Sequence, residues 1–319
     1  MQLYRYTMNK LILFWILLFP EVCFSQVSTQ PKSYRGVPVL DELGVLWWGK
    51  ADLQTRDSSL FEAVYHTRYK RQARTGKTYE MLTVLQVGAV WQKYYSMIRQ
   101  QIDDVQRDVT GAARGIAPVP GMGYIHTYTE EERHIQRIAG VDFLNSEVWI
   151  DRQQQLLTER AHGIRRSNES YEYEESVPAF GWQLSGDTAD SVAGYRCMTA
   201  TASFRGRVWK AWFTIEVPVN TGPWKFGGLP GLIVKIEDDE GDYQWELVSL
   251  EQKKVPIVYY AVDQVYSLSR ARWHRYWRQV HTNPLLMLNE GWNLIYTHKG
   301  NEITEADNWT LPYNPIELE

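Results

Sequence analysis

Alternation with a period of two runs through most of the chain. Phe61, Ala63, Tyr65 and Tyr69 fall on one parity, and Glu62, His66, Arg68 and Lys70 on the other, as in a strand with one buried face. A turn at Arg74-Thr75-Gly76-Lys77 and a return strand over 81–87 complete a hairpin. Residues 195–204 and 208–215 flank Arg205-Gly206-Arg207 as a second hairpin. A third is predicted from 232–236 and 243–250 around the acidic run Glu237-Asp238-Asp239-Glu240-Gly241-Asp242. Tyr171 to Glu175 and Gly181 to Leu184 read as further strands. Consecutive hairpins predict an antiparallel sheet. The period of 3.6 is rarer. Ile98, Ile102, Val105 and Val109 form one helical stripe, and Trp273, Tyr276, Trp277 and Val280 another. Thr129 with Glu132 has capping-box spacing. The Pro- and Gly-rich run 114–123 reads as a linker. These features predict one domain with a helical insert at 97–140.

The start of the chain breaks this pattern. Arg5 and Lys10 precede nine apolar residues, Leu11 to Phe19, and Cys23-Phe24-Ser25 places small residues before Gln26. A run of nine is about half of what a membrane span needs, so residues 1–25 read as a secretory signal peptide, with Met8 an alternative start. Pro20 and Val22 do not fit lipidation at Cys23. Cleavage after Ser25 leaves Cys197 as the one thiol, which excludes an internal disulfide. No second apolar run reaches spanning length. The expectation is therefore an exported chain with no transmembrane segment after residue 25.

Composition narrows the function classes. The 319 residues carry a formal charge of −4, which gives no electrostatic footprint for nucleic acid. The 14 Trp and 20 Tyr are far more than this length ordinarily holds. Motif tests mostly resolve to plain structure. Gly76-Lys77-Thr78 lacks the Gly five residues before Gly76 that a phosphate-binding loop needs, because Arg71 stands there. The acidic run 237–242 fails the calcium-loop template and reads as solvated charge at a hairpin tip. His274 and His281 share a helix side but have no nearby acid to complete a metal site. Cys197 shares strand parity with Tyr195 and Thr199, so it reads as packed rather than nucleophilic. Arg270, Arg272, Arg275 and Arg278 form a basic helix face. No metal, cofactor or catalytic constellation is predicted.

The densest stretch is Val217 to Ile236, VPVNTGPWKFGGLPGLIVKI. Leu229-Pro230-Gly231-Leu232 suits a type II turn, and Gly227 and Gly228 allow positive φ or close backbone approach. A fixed, aromatic-bearing loop of this kind reads either as plain structure or as a ligand- or partner-binding element, the latter comprising Trp224, Phe226, Gly227, Gly228, Leu229, Pro230 and Gly231.

Gly-Gly-Leu-Pro-Gly-Leu-Ile at 227–233, after Gly222-Pro223-Trp224-Lys225-Phe226, resembles the GLPGLI family, also called Porph_ging, of exported Bacteroidota proteins. Leu85-Gln86-Val87-Gly88, Tyr94-Tyr95-Ser96, Tyr171-x-Tyr173-x-Glu175, Trp182-x-Leu184, Gly194-Tyr195-x-Cys197, Ala211-Trp212-Phe213 and the ending Tyr313 to Leu318 extend the resemblance over most of the chain. Residues 99–170 match least. The family brings no established activity, cofactor or catalytic residue, so none is carried over. The resemblance implies an exported, mostly β protein in the periplasm or associated with the outer membrane. The expected fold is α+β and predominantly β, a curved antiparallel sheet with a few packed helices, similar to the LolA-like half-barrels. The expected function is non-catalytic binding of a hydrophobic or amphipathic ligand, or of an outer-membrane partner. A periplasmic hydrolase and an envelope assembly factor are the alternatives.

Overall fold

The computed structural model describes residues 33–34, 37–38, 52–74, 76–97, 146–162, 169–262, 264–283, 296–298, 301–303 and 310–318. The segment expected to be a signal peptide, 1–25, lies outside the described residues, as does the expected insert at 97–140 apart from Met97. Among the described residues the chain is built from strands and one helix. These are β1 (Ser33–Tyr34), β2 (Val37–Pro38), β3 (Asp52–Lys70), β4 (Thr78–Gly88), β5 (Trp91–Ser96), β6 (Glu147–Asp151), β7 (Leu156–His162), β8 (Glu169–Ser176) and β9 (Gln183–Val192). They continue as β10 (Tyr195–Phe204), β11 (Arg207–Thr214), β12 (Leu232–Asp238), β13 (Tyr243–Glu251), β14 (Pro256–Ala261), β15 (Gln264–Ser267), helix α1 (Arg270–Thr282), β16 (Tyr296–His298) and β17 (Asn301–Ile303).

Thirteen strands form one large curved sheet in the order β15-β8-β7-β6-β5-β4-β3-β13-β12-β11-β10-β9, with β14 also on β3. All three expected hairpins are present, as β3–β4, β10–β11 and β12–β13. The neighbouring pairs are antiparallel except for β15, which lies parallel to β8. The sheet is centred on β3, whose 19 residues pair with β4 on one side and with β13 and then β14 on the other. The β10–β11 hairpin turns on Arg205 and Gly206, both at positive φ. Ala193 and Gly194 make the same two-residue connection between β9 and β10. Two central residues at positive φ match the right-handed twist of the flanking strands.

One face of the sheet carries the core. Tyr65, Leu85, Tyr94, Trp209, Phe213, Ile236, Tyr243 and Trp245 are buried there. Its centre is a chain of ring contacts: Trp209 against Phe226 at 4.7 Å, Phe226 against Trp245 at 5.7 Å, and Tyr243 stacked on Trp245 at 5.9 Å. The surplus of tryptophan is thus largely core, each ring burying roughly 150–250 Å². Helix α1 covers the β7–β8 end. Ser269 caps it by accepting from the Arg272 N–H, and Trp273 and Trp277 face a second cluster with Ala161, Tyr171 and Tyr173. Three of its arginines, Arg272, Arg275 and Arg278, are exposed.

Two local expectations are corrected. Gly231 does not take the positive φ of a type II turn. Its N–H instead bonds the Leu229 carbonyl at 2.8 Å, so Pro230 is the centre of a tighter three-residue turn that its fixed φ favours. Glycine is required at 231 for space: a Cβ there falls 2.0 Å from the Thr214 carbonyl oxygen. The acidic tip is likewise not all solvated. Asp238 and Asp242 are buried, because Arg207 Nη1 sits 2.6 Å from Asp238 and the C-terminal Asn314 closes over both. Asp238 also accepts the N–H groups of Asp242 and Tyr243, which shapes the turn.

Candidate functional site

The loop between β11 and β12 lies on the core face of the sheet and fills it. Trp224, Phe226 and Leu229 are each 3% exposed or less. Of the seven residues predicted to form a binding element, Gly228 and Pro230 are exposed and Gly227 is partly so. The loop is tied down at several points. Thr221 bonds Gln92 on β5 at 2.7 Å, and Trp182 Nε1 donates to the Gly227 carbonyl at 2.8 Å. Trp224 holds positive φ, a strained state for a bulky residue, and its burial among Phe204 and Phe226 keeps it there.

Lys225, between Trp224 and Phe226, is the loop's buried cation. Its Nζ lies 2.7 Å from Glu159 on β7, 2.7 Å from Glu317 near the C-terminus and 3.8 Å from Glu175 on β8. It also donates to the Tyr173 hydroxyl. Arg205 pairs with Glu175 at 2.7 Å, and Arg270 with Glu317 at 2.6 Å, so three cations face three carboxylates. His274 on α1 completes the ring of partners at 2.9 Å from Glu317. Burial works against ionisation of both Glu317 and Lys225. The neighbouring charges win: Lys225, His274 and Arg270 hold the Glu317 carboxyl well below the usual range, while Glu159 and Glu317 hold the Lys225 ammonium above its own. Burial and the three glutamates push the Tyr173 hydroxyl up. Glu317 is thus held ionised, and Lys225 and the Tyr173 hydroxyl protonated, near neutrality, which suits a structural lock and not proton transfer.

A crevice of about 30 Å³ lies beside this lock, between Trp224, Trp273, Trp277 and Tyr313. It has room for water alone. Cys197 is buried, its Sγ contacts the Tyr195 carbonyl at 3.3 Å, and burial raises its pKa. Among the described residues no histidine bonds to it. Glu174 reaches only Thr158, at 3.5 Å.

The other face of the sheet holds a larger cavity. Register aligns Thr201, Lys210, Glu237, Gln244, Arg68 and Glu80 in one row across β10, β11, β12, β13, β3 and β4. All but Glu80 line an open trough of about 530 Å³, together with Val208, which is 43% exposed. This is the size range of small-molecule sites. Sequence parity had put Arg68 on the outward face, but only the register of five strand pairs shows that these residues meet. The Lys225 lock was missed as well. Its one sequence signal is a lone lysine flanked by Trp and Phe in a Gly/Pro loop.

The family described as "Protein of unknown function (Porph_ging)" accounts for the central part of this architecture. Residues 205–235 match it. The Porph_ging segment therefore runs from the β10–β11 turn through β11 and the buried loop into β12. No curated protein matches the chain. Two structures of PNGF-II, in the P21 and C2 space groups, are similar at 13% identity with TM-scores of 0.42 and 0.43. They cover 69% and 70% of this chain and 32% and 33% of PNGF-II, so the chain spans about a third of that protein's length. Among the described residues no helix is long and apolar enough to cross a membrane, and no group of His, Cys, Asp and Glu could hold a metal ion.

Proposed function

We propose that this Porph_ging-like chain is an exported, non-catalytic binding protein of the cell envelope. In this reading residues 1–25 are a signal peptide, residues 26–319 form one domain, and an amphipathic ligand is taken on the outer face of the sheet. The observation that carries the reading is the division of labour between the two faces. The core face is occupied by the protein's own loop, whereas the outer face offers a ligand-sized trough with Val208 exposed in it.

Magnitudes favour the trough over the loop. Burying Trp224, Phe226 and Leu229 contributes on the order of 6–10 kcal/mol relative to exposure. A ligand bound at 1 μM supplies about 8 kcal/mol. A ligand that expelled the loop would therefore have almost nothing left, and it would also expose Lys225 and its partners. The trough requires no such displacement. Its apolar contacts come from Val208 and the stems of Arg68 and Lys210, and its polar ones from the row of side-chain heads.

Native mass spectrometry of the protein purified from envelope extracts tests the proposal. A small-molecule adduct is expected, and Val208→Asp is expected to lose it. An adduct retained by Val208→Asp, or a stable protein partner with no small molecule, overturns it.

A further inference from the structure

The trough contains one group whose chemistry is incomplete. Arg68 Nε is shut off from solvent and has no hydrogen-bond partner among the described residues. A buried unpaired donor is costly, and native structures retain few of them. The cross-strand neighbours of Arg68 do not satisfy it. Glu80, directly opposite on β4, points to His66, 3.5 Å from its Nε2, and Gln244 on β13 donates to Glu246 at 3.3 Å.

The remaining charges in the trough can be sorted by commitment. Asp238 and Asp242 are held by Arg207 and Lys70, and Glu237 by Lys235 at 3.1 Å. Arg68 and Lys210 have no ion-pair partner among the described residues, and neither has Asp239. Lys210 has only the ring of Trp212, 4.7 Å from its Nζ. The uncommitted groups are thus two cations and one anion, which leaves the trough one positive charge in excess. Such a balance accepts a monoanion. It resists a dianion, because four carboxylates line the same walls.

We infer that Arg68 anchors the carboxylate of a monoanionic, amphipathic organic acid, whose apolar chain runs along the row toward Val208. This rests on the reading of the trough as the binding site and names its ligand class. Turning the planar guanidinium towards the trough on binding exposes its Nε–H, and side-on contact through Nε and one Nη then gives that orphaned donor its acceptor. Lys210 supplies the second positive charge further along the trough. Thr201 and Thr78 also line the trough and add hydroxyls to its wall.

The test is an NMR titration of the full chain that follows the Arg68 Nε–Hε resonance and the Val208 methyls. Three probes share one chain: hexanoate, hexyl phosphate and hexylammonium. Hexanoate is expected to move both signals saturably, to shift Arg68 Hε downfield as a hydrogen bond forms, and to bind more tightly than the other two. Arg68→Gln is expected to weaken hexanoate at least tenfold while the Val208 methyls still respond at high probe concentration. If hexanoate moves the Val208 methyls equally in Arg68→Gln, or hexyl phosphate binds as tightly, the carboxylate assignment fails and the trough reading stands. If no probe moves the Val208 methyls, the trough reading itself fails.

Discussion

Replacing Lys225 with Met isolates what the buried lock contributes. Met nearly preserves the apolar stem but removes the ammonium, leaving Glu159 and Glu317 without the cation 2.7 Å from each. Lys225 is 1% exposed and Glu317 4%, so water cannot take its place. Removing one partner of a buried pair costs about 3–5 kcal/mol, because a buried charge is left uncompensated. Arg270 and His274 still face Glu317, which places the expected loss towards the lower end. Urea unfolding followed by tryptophan fluorescence measures it. Adding Glu317→Gln and Glu159→Gln to Lys225→Met is expected to restore part of the loss, since the orphaned charges go with the cation. The pH dependence follows from the same pairing. Glu317 is depressed in the folded state, so its stabilisation is complete above the unfolded carboxyl pKa near 4.3 and is lost as pH falls through its lower folded value. Lys225 is raised, so its stabilisation is complete below about 10.4 and is lost as pH rises through its folded value. The Glu317–Lys225 pair is thus whole between about pH 5 and pH 10, and Lys225→Met should show a flatter stability profile outside that window. A Lys225→Met protein within 1 kcal/mol of wild type at pH 7 would refute the reasoning.

Other consequences are testable with simpler measurements. Gly231→Ala places a Cβ against the Thr214 carbonyl and should destabilise the fold by about 1–3 kcal/mol in thermal unfolding. Arg207→Ala removes the bonds to Asp238, Asn314, Pro315 and Ile316 and should release the C-terminal segment, seen as faster hydrogen exchange at 314–317. Unchanged protection there would show that the segment is held without Arg207. Cys197, buried with a raised pKa, should resist alkylation at pH 8 in the native protein and react fully in urea. Rapid native labelling contradicts its placement.

Much of the fold was legible because hairpins are local. The alternation at 61–70, the turn residues Arg205-Gly206 and the acidic tip at 237–242 each mark a pairing between neighbouring segments, and each pairing exists. The stripe of Trp273, Tyr276, Trp277 and Val280 likewise marks α1, in which all but Tyr276 are fully buried. The site was harder to read because it depends on long-range register. Arg68, Gln244, Glu237 and Lys210 belong to three separate hairpins and meet only when β13 docks on β3 and β12 on β11. The Trp224 loop shows the opposite difficulty. Glycine, proline and aromatic residues mark a fixed loop in either setting, exposed or interior, and composition does not say which side of a sheet it lies on. Lys225 held the clue, since a buried lysine needs carboxylates from distant parts of the chain, here Glu159 on β7 and Glu317 near the C-terminus.

The account turns on which face of the sheet meets the ligand. Methyl NMR of the full chain titrated with hexanoate reads both faces at once, through Val208 in the trough and Leu229 in the buried loop. Saturable shifts at Val208 with Leu229 unmoved are the predicted result. Shifts centred on Leu229, with Val208 silent, would place binding at the loop and contradict it.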